Sequence, residues 1–407
     1  MGTLTARGRL FVLAGLVVAG GGMTVGLRSL TSVGALLVVL PLAALLLATR
    51  RPELQITRSV LPRRVPVDQP SDVTLELRNV GERRTPVLRA EEELAYALGD
   101  RPRMVLPRLR PHEATGLTYR VRSHVRGRHR LGPLTVRVAD PFGLAERSAV
   151  HPGAAELTVL PRIEPLVGGP SSRAGAGGEA TLSRRISLVG EEDPSVREYR
   201  VGDDLRRIHW PSTARTGEMM VRQDEEPGHR RALVVIDDRA GAHAGAGSGG
   251  SFEWAVSATA SVVHRLFAEQ HEVHLATSTG PSGAAAPMET IDHALDVLAD
   301  LQPVSSSLPT GLVGAVGDFH ASGSGLVVAV LGPLPDEACD QLGGRGGSCV
   351  AMVLDRAGYR GRGGETDEAT ARTLARLGAA GWRTVRVRPG VRVADAWAQV
   401  VPSGVTT

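Results

Sequence analysis

The chain contains no lysine: all 47 basic residues among its 407 are arginine. The Gly-rich runs Gly245–Gly250 and Gly343–Gly347 therefore lack the following Lys-Ser or Lys-Thr of a phosphate-binding P-loop and read as low-complexity loops. A Gly-x-Ser-x-Gly elbow and a His-Glu-x-x-His pair are missing too, which removes the commonest sequence signals for a serine hydrolase and a zinc protease. Cysteine is scarce. Cys339 and Cys349 have neither zinc-site nor CxxC spacing, and buried, reduced thiols are the expectation for a cytoplasmic domain. His271 and His274 lie three apart at the start of a predicted strand and so face opposite sides, which argues against joint metal ligation. Aromatics are only 3% of the chain, so each one in a polar segment carries information. The formal charge of +4 and pI near 9.6, in a chain rich in Ala, Gly and Val, read as the bias of a GC-rich coding genome and not as a footprint for a polyanion.

Long apolar runs are present. Leu10 to Leu27 and Leu30 to Ala48 are uncharged, and at about 1.5 Å per residue each crosses most of a roughly 30 Å hydrocarbon core. Only Arg28 and Ser29 separate them, so the pair reads as a tight transmembrane hairpin. Arg7 and Arg9 precede it, and Arg50, Arg51, Arg58, Arg63 and Arg64 follow it, which places both ends in the cytoplasm by the positive-inside rule. An export signal also starts basic and apolar, but here a second apolar run follows at once. Gly22 and Gly26 form a GxxxG spacing that can bring helices close.

From Glu53 to about Leu160 short β-prone runs alternate with Pro and Gly. Val73–Arg78, Leu117–Val121 and Leu134–Val138 show period-two patterning, which suggests a small antiparallel, immunoglobulin-like sandwich with charged outward faces. Gly168–Gly178 reads as a linker. After Arg231 the pattern changes: strands are predicted at Ala232–Ile236, Val273–Ala276, Leu326–Leu331, Val350–Leu354 and Thr384–Val387, and helices at Phe252–Glu269, Ile291–Leu301 and Asp367–Leu377. Such alternation implies a parallel sheet covered on both faces. The domains expected are a hairpin over 1–52, a β-rich domain over 53–165, a linker over 166–183 and an α/β domain over 184–407.

The densest signal is Glu191 to Arg222. Between Arg184 and Arg231 ten arginines face ten acidic residues, a balance that favours internal ion pairing over nucleic-acid binding. Gly202 supplies a turn, and Asp203 or Asp204 caps a short helix carrying Leu205, Ile208 and the arginines, with Trp210 near its end as a packed anchor. This block resembles the signature of the bacterial family known as domain of unknown function 58. Arg126–Pro133 and Asp140-Pro141-Phe142-Gly143-Leu144 resemble the upstream half of the family's pattern, and the order of apolar segments, β-rich region and βα region agrees with it. Pro211 departs from the basic residue that often follows the Trp.

The resemblance implies a von Willebrand factor A-like fold for the α/β domain and a MoxR-type AAA+ ATPase as partner. In such domains an Asp at the end of the first strand, followed at alternate positions by two Ser, holds a divalent cation. Here Asp237 is followed at those positions by Arg239 and Gly241, and Asp238 by Ala240 and Ala242, so no metal or other cofactor is expected. The reading is a non-enzymatic, membrane-anchored interaction protein whose candidate binding residues are Arg200, Gly202, Asp203, Asp204, Arg206, His209, Trp210 and Arg215. The alternatives are a hydrolase using Asp203, Asp204 and His209, and a cation-dependent adhesion module.

Overall fold

The computed structural model describes residues 2–48, 52–140, 142–167, 196–199, 208, 210–222, 230–278, 285–305, 308–343, 348–361 and 367–401. The chain divides into two compact units, Met1–Pro161 and Arg162–Thr407.

The first unit opens with strand β1 (Gly2–Leu4) and two helices, α1 (Ala6–Val25) and α2 (Arg28–Ala48), both long and apolar enough to cross a membrane. They pack as a hairpin at very short range. A Cβ on Gly15 would stand 2.8 Å from the Gly34 carbonyl oxygen, and one on Gly22 would stand 2.6 Å from the Thr31 nitrogen, so the helix backbones touch only because both positions are glycine. Gly26 serves otherwise: with φ of 78° it ends α1, its N–H donating to the Gly22 carbonyl. The helix contact therefore runs through Gly15 and Gly22, and not through the Gly22 and Gly26 pair suggested by the sequence, while Gly8, the third buried position of α1, faces the Leu144 carbonyl.

The rest of this unit is two β-sheets. Strands β2 (Leu54–Leu61), β4 (Pro70–Asn79) and β7 (Ala114–Arg122) form an antiparallel three-stranded sheet in the order β2-β4-β7. The seven-stranded sheet contains β1, β3 (Arg64–Pro66), β5 (Leu88–Leu94), β6 (Arg103–Leu106), β8 (Gly127–Ala139), β9 (Ala145–His151) and β10 (Ala155–Leu160). Alternation puts every second residue inside, and two clusters result. One joins Val60, Val73 and Val121 to Leu131, Leu157 and Val159; the other joins Leu75 and Leu77 to Leu88, Leu106, Leu134 and Val136. At about 1.5–3 kcal/mol for each large side chain removed from water, these two clusters supply most of the driving force for closing the sheets.

Tyr119 packs against both clusters, and beside it lies a buried ion pair. Arg58 occupies an inward position of β2, between Ile56 and Val60, and its guanidinium stands 2.6 Å from the carboxylate of the fully buried Glu92 while also donating to the Gly153 carbonyl at 2.9 Å. Burial pushes the Glu92 carboxyl above the usual carboxylate range against the opposing pull of Arg58, and burial together with Glu92 pushes the Tyr119 phenol up. Not every charge on these strands is on the solvated face expected from the sequence.

The second unit is built on a six-stranded sheet. Its strands β13 (Arg231–Ile236), β14 (Glu272–Thr277), β15 (Ala286–Pro287), β16 (Leu326–Leu331), β17 (Ser348–Leu354) and β18 (Arg383–Val387) lie in the order β15-β14-β13-β16-β17-β18, parallel except for β15. The strands and helices expected after Arg231 are all there, with ends shifted by a residue or two. In chain order the helices of this unit are α3 (Trp210–Thr216), α4 (Ser251–Ala268), α5 (Ile291–Asp300), α6 (Thr310–Ala321), α7 (Asp336–Leu342), α8 (Arg356–Tyr359), α9 (Glu368–Ala379) and α10 (Val393–Val400). Helices α4 and α10 cover one face of the sheet and α6 and α9 the other, with α5 against α4 and α7 between α6 and α9. Every residue of β16 is buried, as a central parallel strand requires. Cys339 and Cys349 are buried and not joined, and burial pushes the Cys349 thiol up to about 11, which keeps it protonated and inert. Residues Arg162 and Glu164, placed with the β-rich region in the sequence reading, bond to α4 through Ser257 and Ser261.

Removing one partner of the Arg58–Glu92 pair strands a buried charge. Arg58→Ala or Glu92→Ala should each cost about 3–5 kcal/mol, whereas the joint replacement Arg58→Met with Glu92→Leu should be close to neutral. Melting curves of the three variants in detergent check this, and single variants as stable as wild type would show that the pair is solvated.

Candidate functional site

In an open parallel sheet, ligands settle outside the carboxyl ends of the strands where the strand order reverses. Here the chain leaves β13 for β14 on one side and later returns to β16 on the other, so the switch point lies between the ends of β13 and β16. The residues there are Asp237-Asp238-Arg239 and Gly332-Pro333.

Asp237 is fully buried, and its carboxylate is enclosed by donors from this chain. Arg239 folds back on it with Nε to Oδ1 at 2.8 Å and Nη2 to Oδ2 at 2.7 Å, the Arg239 amide donates to Oδ1 at 3.2 Å, and the Gly332 amide donates to Oδ2 at 3.1 Å. Arg239 is itself buried, and Nη2 also reaches the Pro333 carbonyl at 3.3 Å. A guanidinium thus stands where a cation would have to sit, with the bidentate geometry that makes such pairs strong. Asp238 turns toward β14 and accepts from the amide of Ser278 at 2.7 Å and from its hydroxyl. Among the described residues no group of three or more His, Cys, Asp or Glu is placed to hold a metal ion.

His243 closes this strand end from behind. Its Nε2–H donates to the Asp237 carbonyl, and Nδ1 lies 3.2 Å from the Ser251 hydroxyl, which fixes the neutral tautomer. Burial is the largest influence on this ring and lowers its pKa, against the raising effect of Asp237.

Outside the locked carboxylates lies a cleft of about 450 Å³ whose lining includes Arg239, Pro333, Leu334, Asp336, Arg356 and Arg372. Arg356 donates to the Gly241 carbonyl at 2.8 Å and lies 3.7 Å from the Asp367 carboxylate, and Asp336 is paired with Arg376 at 3.1 Å. The exposed Arg372, on the first turns of α9, completes an arginine-rich mouth over an apolar floor. The Asp367 carboxylate beside Arg356 caps α9, accepting from the Ala369 amide at 3.2 Å. The sequence reading missed Arg356 and Arg372, which follow no motif and meet Arg239 only through the fold.

Of the residues singled out from the sequence, Arg200, Gly202, Asp203, Asp204, Arg206 and His209 lie outside the described residues. Trp210 and Arg215 are described, and Trp210 departs from its expected role. Helix α3 begins at Trp210 instead of ending near it, and the indole is 67% exposed instead of packed. Ile208 is in an isolated β-bridge with Val221 and not on a helix. The segment's packed residues are Ser212 and Val221, where α3 lies against a two-stranded ribbon of β11 (Val196–Glu198) and β12 (Met220–Arg222). The Met220 amide bonds to Thr213 at 3.0 Å. Arg215 lies in the last turn of α3, where a cation favours the helix dipole.

Residues 195–329 match the family model described as Protein of unknown function DUF58. A protein of Bacillus subtilis (strain 168), described as the uncharacterized protein YeaD, is 29% identical over 153 residues, which are 37% of this chain and 36% of that protein. The chain thus spans about a third of the length of the curated relative it matches. Solved structures similar to parts of the chain include a CARDB domain from Pyrococcus furiosus, at 17% identity over 27% of this chain and 89% of that one, with a TM-score of 0.20. A beta-glucosidase from Listeria innocua in complex with gluconolactone is 15% identical over 26% of this chain and 16% of that one, with a TM-score of 0.18. Neither likeness carries a fold or functional argument.

The lock on Asp237 has two measurable consequences. Arg239→Ala leaves a buried carboxylate without its cation and should cost about 3–5 kcal/mol, read from melting curves; a variant as stable as wild type would mean that water reaches Asp237. The lowered pKa of His243 makes stability fall on acidification. Above about 6.5 the ring is neutral in folded and unfolded chains alike, and as pH drops from there through the lower folded value the unfolded chain takes the proton first. His243→Gln keeps a donor toward Asp237 and should shallow that slope in melting temperature against pH. Buried His271 and half-buried His151, lowered the same way by burial, add to that slope. A slope unchanged by His243→Gln would assign the acid sensitivity elsewhere.

Proposed function

We propose that this chain is a non-enzymatic, membrane-anchored interaction protein of the DUF58 type, with an immunoglobulin-like β-sandwich and a von Willebrand factor A-like domain that binds its partner without a metal ion. The observation that carries this reading is the strand-end arrangement. Its carboxylates are held by Arg239, the Gly332 amide and Ser278, while arginines line the cleft outside them. A group already satisfied inside the fold does not serve as a general base or a metal ligand, whereas an arginine-lined mouth over Pro333 and Leu334 suits an acidic side chain of another protein. The exposed Trp210 adds an aromatic of the kind that dominates binding energy at protein interfaces. A MoxR-type AAA+ ATPase is the partner proposed.

The two apolar helices provide the anchor, and the arginines on both flanks favour a cytoplasmic position for the folded units. Antiparallel pairing of β1 with β9 supports a hairpin whose two ends lie on one side of the membrane, since Gly2–Leu4, before α1, share a sheet with residues 145–147, after α2.

Co-purification of the full chain with the ATPase from membranes tests this. Arg372→Glu and Trp210→Ala should each weaken capture while changing stability by no more than about 0.5 kcal/mol, as most surface substitutions do. Undiminished capture by both folded variants would place the docking surface elsewhere. Hydrolytic activity abolished by His209→Ala with the fold intact would replace this reading by an enzymatic one.

A further inference from the structure

The run Asp140 to Leu144 stands out in the sequence and has no part in the cleft. Asp140 shapes it: its carboxylate accepts from the amides of Phe142 at 2.9 Å and Ala145 at 2.6 Å, and its carbonyl accepts from the Gly143 amide at 3.1 Å. The loop so formed is tied to the start of the first apolar helix. Thr5, which caps α1 by accepting from the Gly8 amide at 3.2 Å, donates its hydroxyl to the Gly143 carbonyl at 2.7 Å and its amide to the Leu144 carbonyl at 2.9 Å. Gly8 lies so close to the Leu144 carbonyl that no Cβ fits between them.

Depth follows from the other helix. Leu144 is buried in a small cluster with Ala44 and Ala145, against which Leu4, Leu40 and Leu45 pack. Leu40 and Ala44 belong to the apolar stretch Arg28–Leu46, with Leu40 roughly 9 Å inside its end at 1.5 Å per residue. The loop therefore does not stand clear of the hairpin: Leu144 packs beside the last turns of the apolar stretch of α2. Phe142, two residues away, is 61% exposed. Arg7 and Arg9, on the first turn of α1, are exposed as well.

We infer that Phe142 is a second, non-helical membrane contact: it enters the boundary between headgroups and acyl chains beside α1, with Arg7 and Arg9 turned to lipid phosphates. An aromatic ring is favoured at this boundary, and arginine side chains extend from it toward the phosphates. The inference rests on the membrane-anchored reading. The β-rich unit is then fixed against the bilayer surface by its own loop as well as through the hairpin, which accounts for an exposed Phe in a chain so poor in aromatics.

The test uses the full chain in phosphatidylcholine and phosphatidylglycerol vesicles. Phe142→Cys and Val150→Cys are each labelled with an environment-sensitive fluorophore, the wild-type chain serving as background because Cys339 and Cys349 are buried. Val150 is exposed and lies six residues past Leu144, roughly 20 Å along an extended strand. The label at position 142 should show blue-shifted emission, quenching by lipids spin-labelled high in the acyl chain, and protection from aqueous iodide; the label at position 150 should remain open to iodide. Flotation of the vesicles after carbonate washing reads the anchor separately. Protein lost in that wash overturns the membrane-anchored reading, whereas retained protein whose two labels are equally open to iodide overturns the role of Phe142 alone.

Discussion

The second unit depends on the answer given to one buried charge. Asp237 ends the central strand of a parallel sheet, where water is excluded and an unpaired carboxylate would cost several kcal/mol. Arg239, two residues further on, supplies the compensating cation from the same loop, and the Gly332 amide ties it to the neighbouring strand. Asp238, Ser278 and His243 then arrange themselves around a fixed turn.

The same problem has a second solution in the first unit. Arg58 and Glu92 meet between two apolar clusters, where the two charges answer each other and the Gly153 carbonyl takes a further guanidinium donor. Two buried arginine–carboxylate pairs in a chain without lysine are consistent with the chemistry of the guanidinium, which is less strongly hydrated than an ammonium and offers several donors in one plane.

Most of the architecture was legible in the sequence because it rests on periodicity. Leu326–Leu331 is an unbroken apolar run with turn signals on both sides, and Leu75 and Leu77 alternate with charged neighbours. Helix α6 was missed although Leu312, Ala315, Val316 and Phe319 carry the helical spacing, because Gly311, Gly314 and Gly317 dilute its propensity. Arg58 was not recognisable as a core residue, since a charge at an inward position breaks the very pattern from which inward positions are read. Trp210 was expected to be packed on the general habit of large aromatics, but in so short a helix Ser212 and the ribbon residue Val221 supply the buried contacts instead. The cleft was invisible for another reason: Arg239, Arg356 and Arg372 come from three separate loops and elements and have no shared spacing.

The pairing of β1 with β9 also sets an order of events during synthesis. Gly2 is synthesised 145 residues before its partner Arg147, on the order of ten seconds earlier at ordinary translation rates. Both apolar helices are complete before that pairing is possible, so the strand leading into the hairpin waits for its partner. The loop closure that joins β1 to β9 is thus among the longest in the unit, where entropic cost slows folding most.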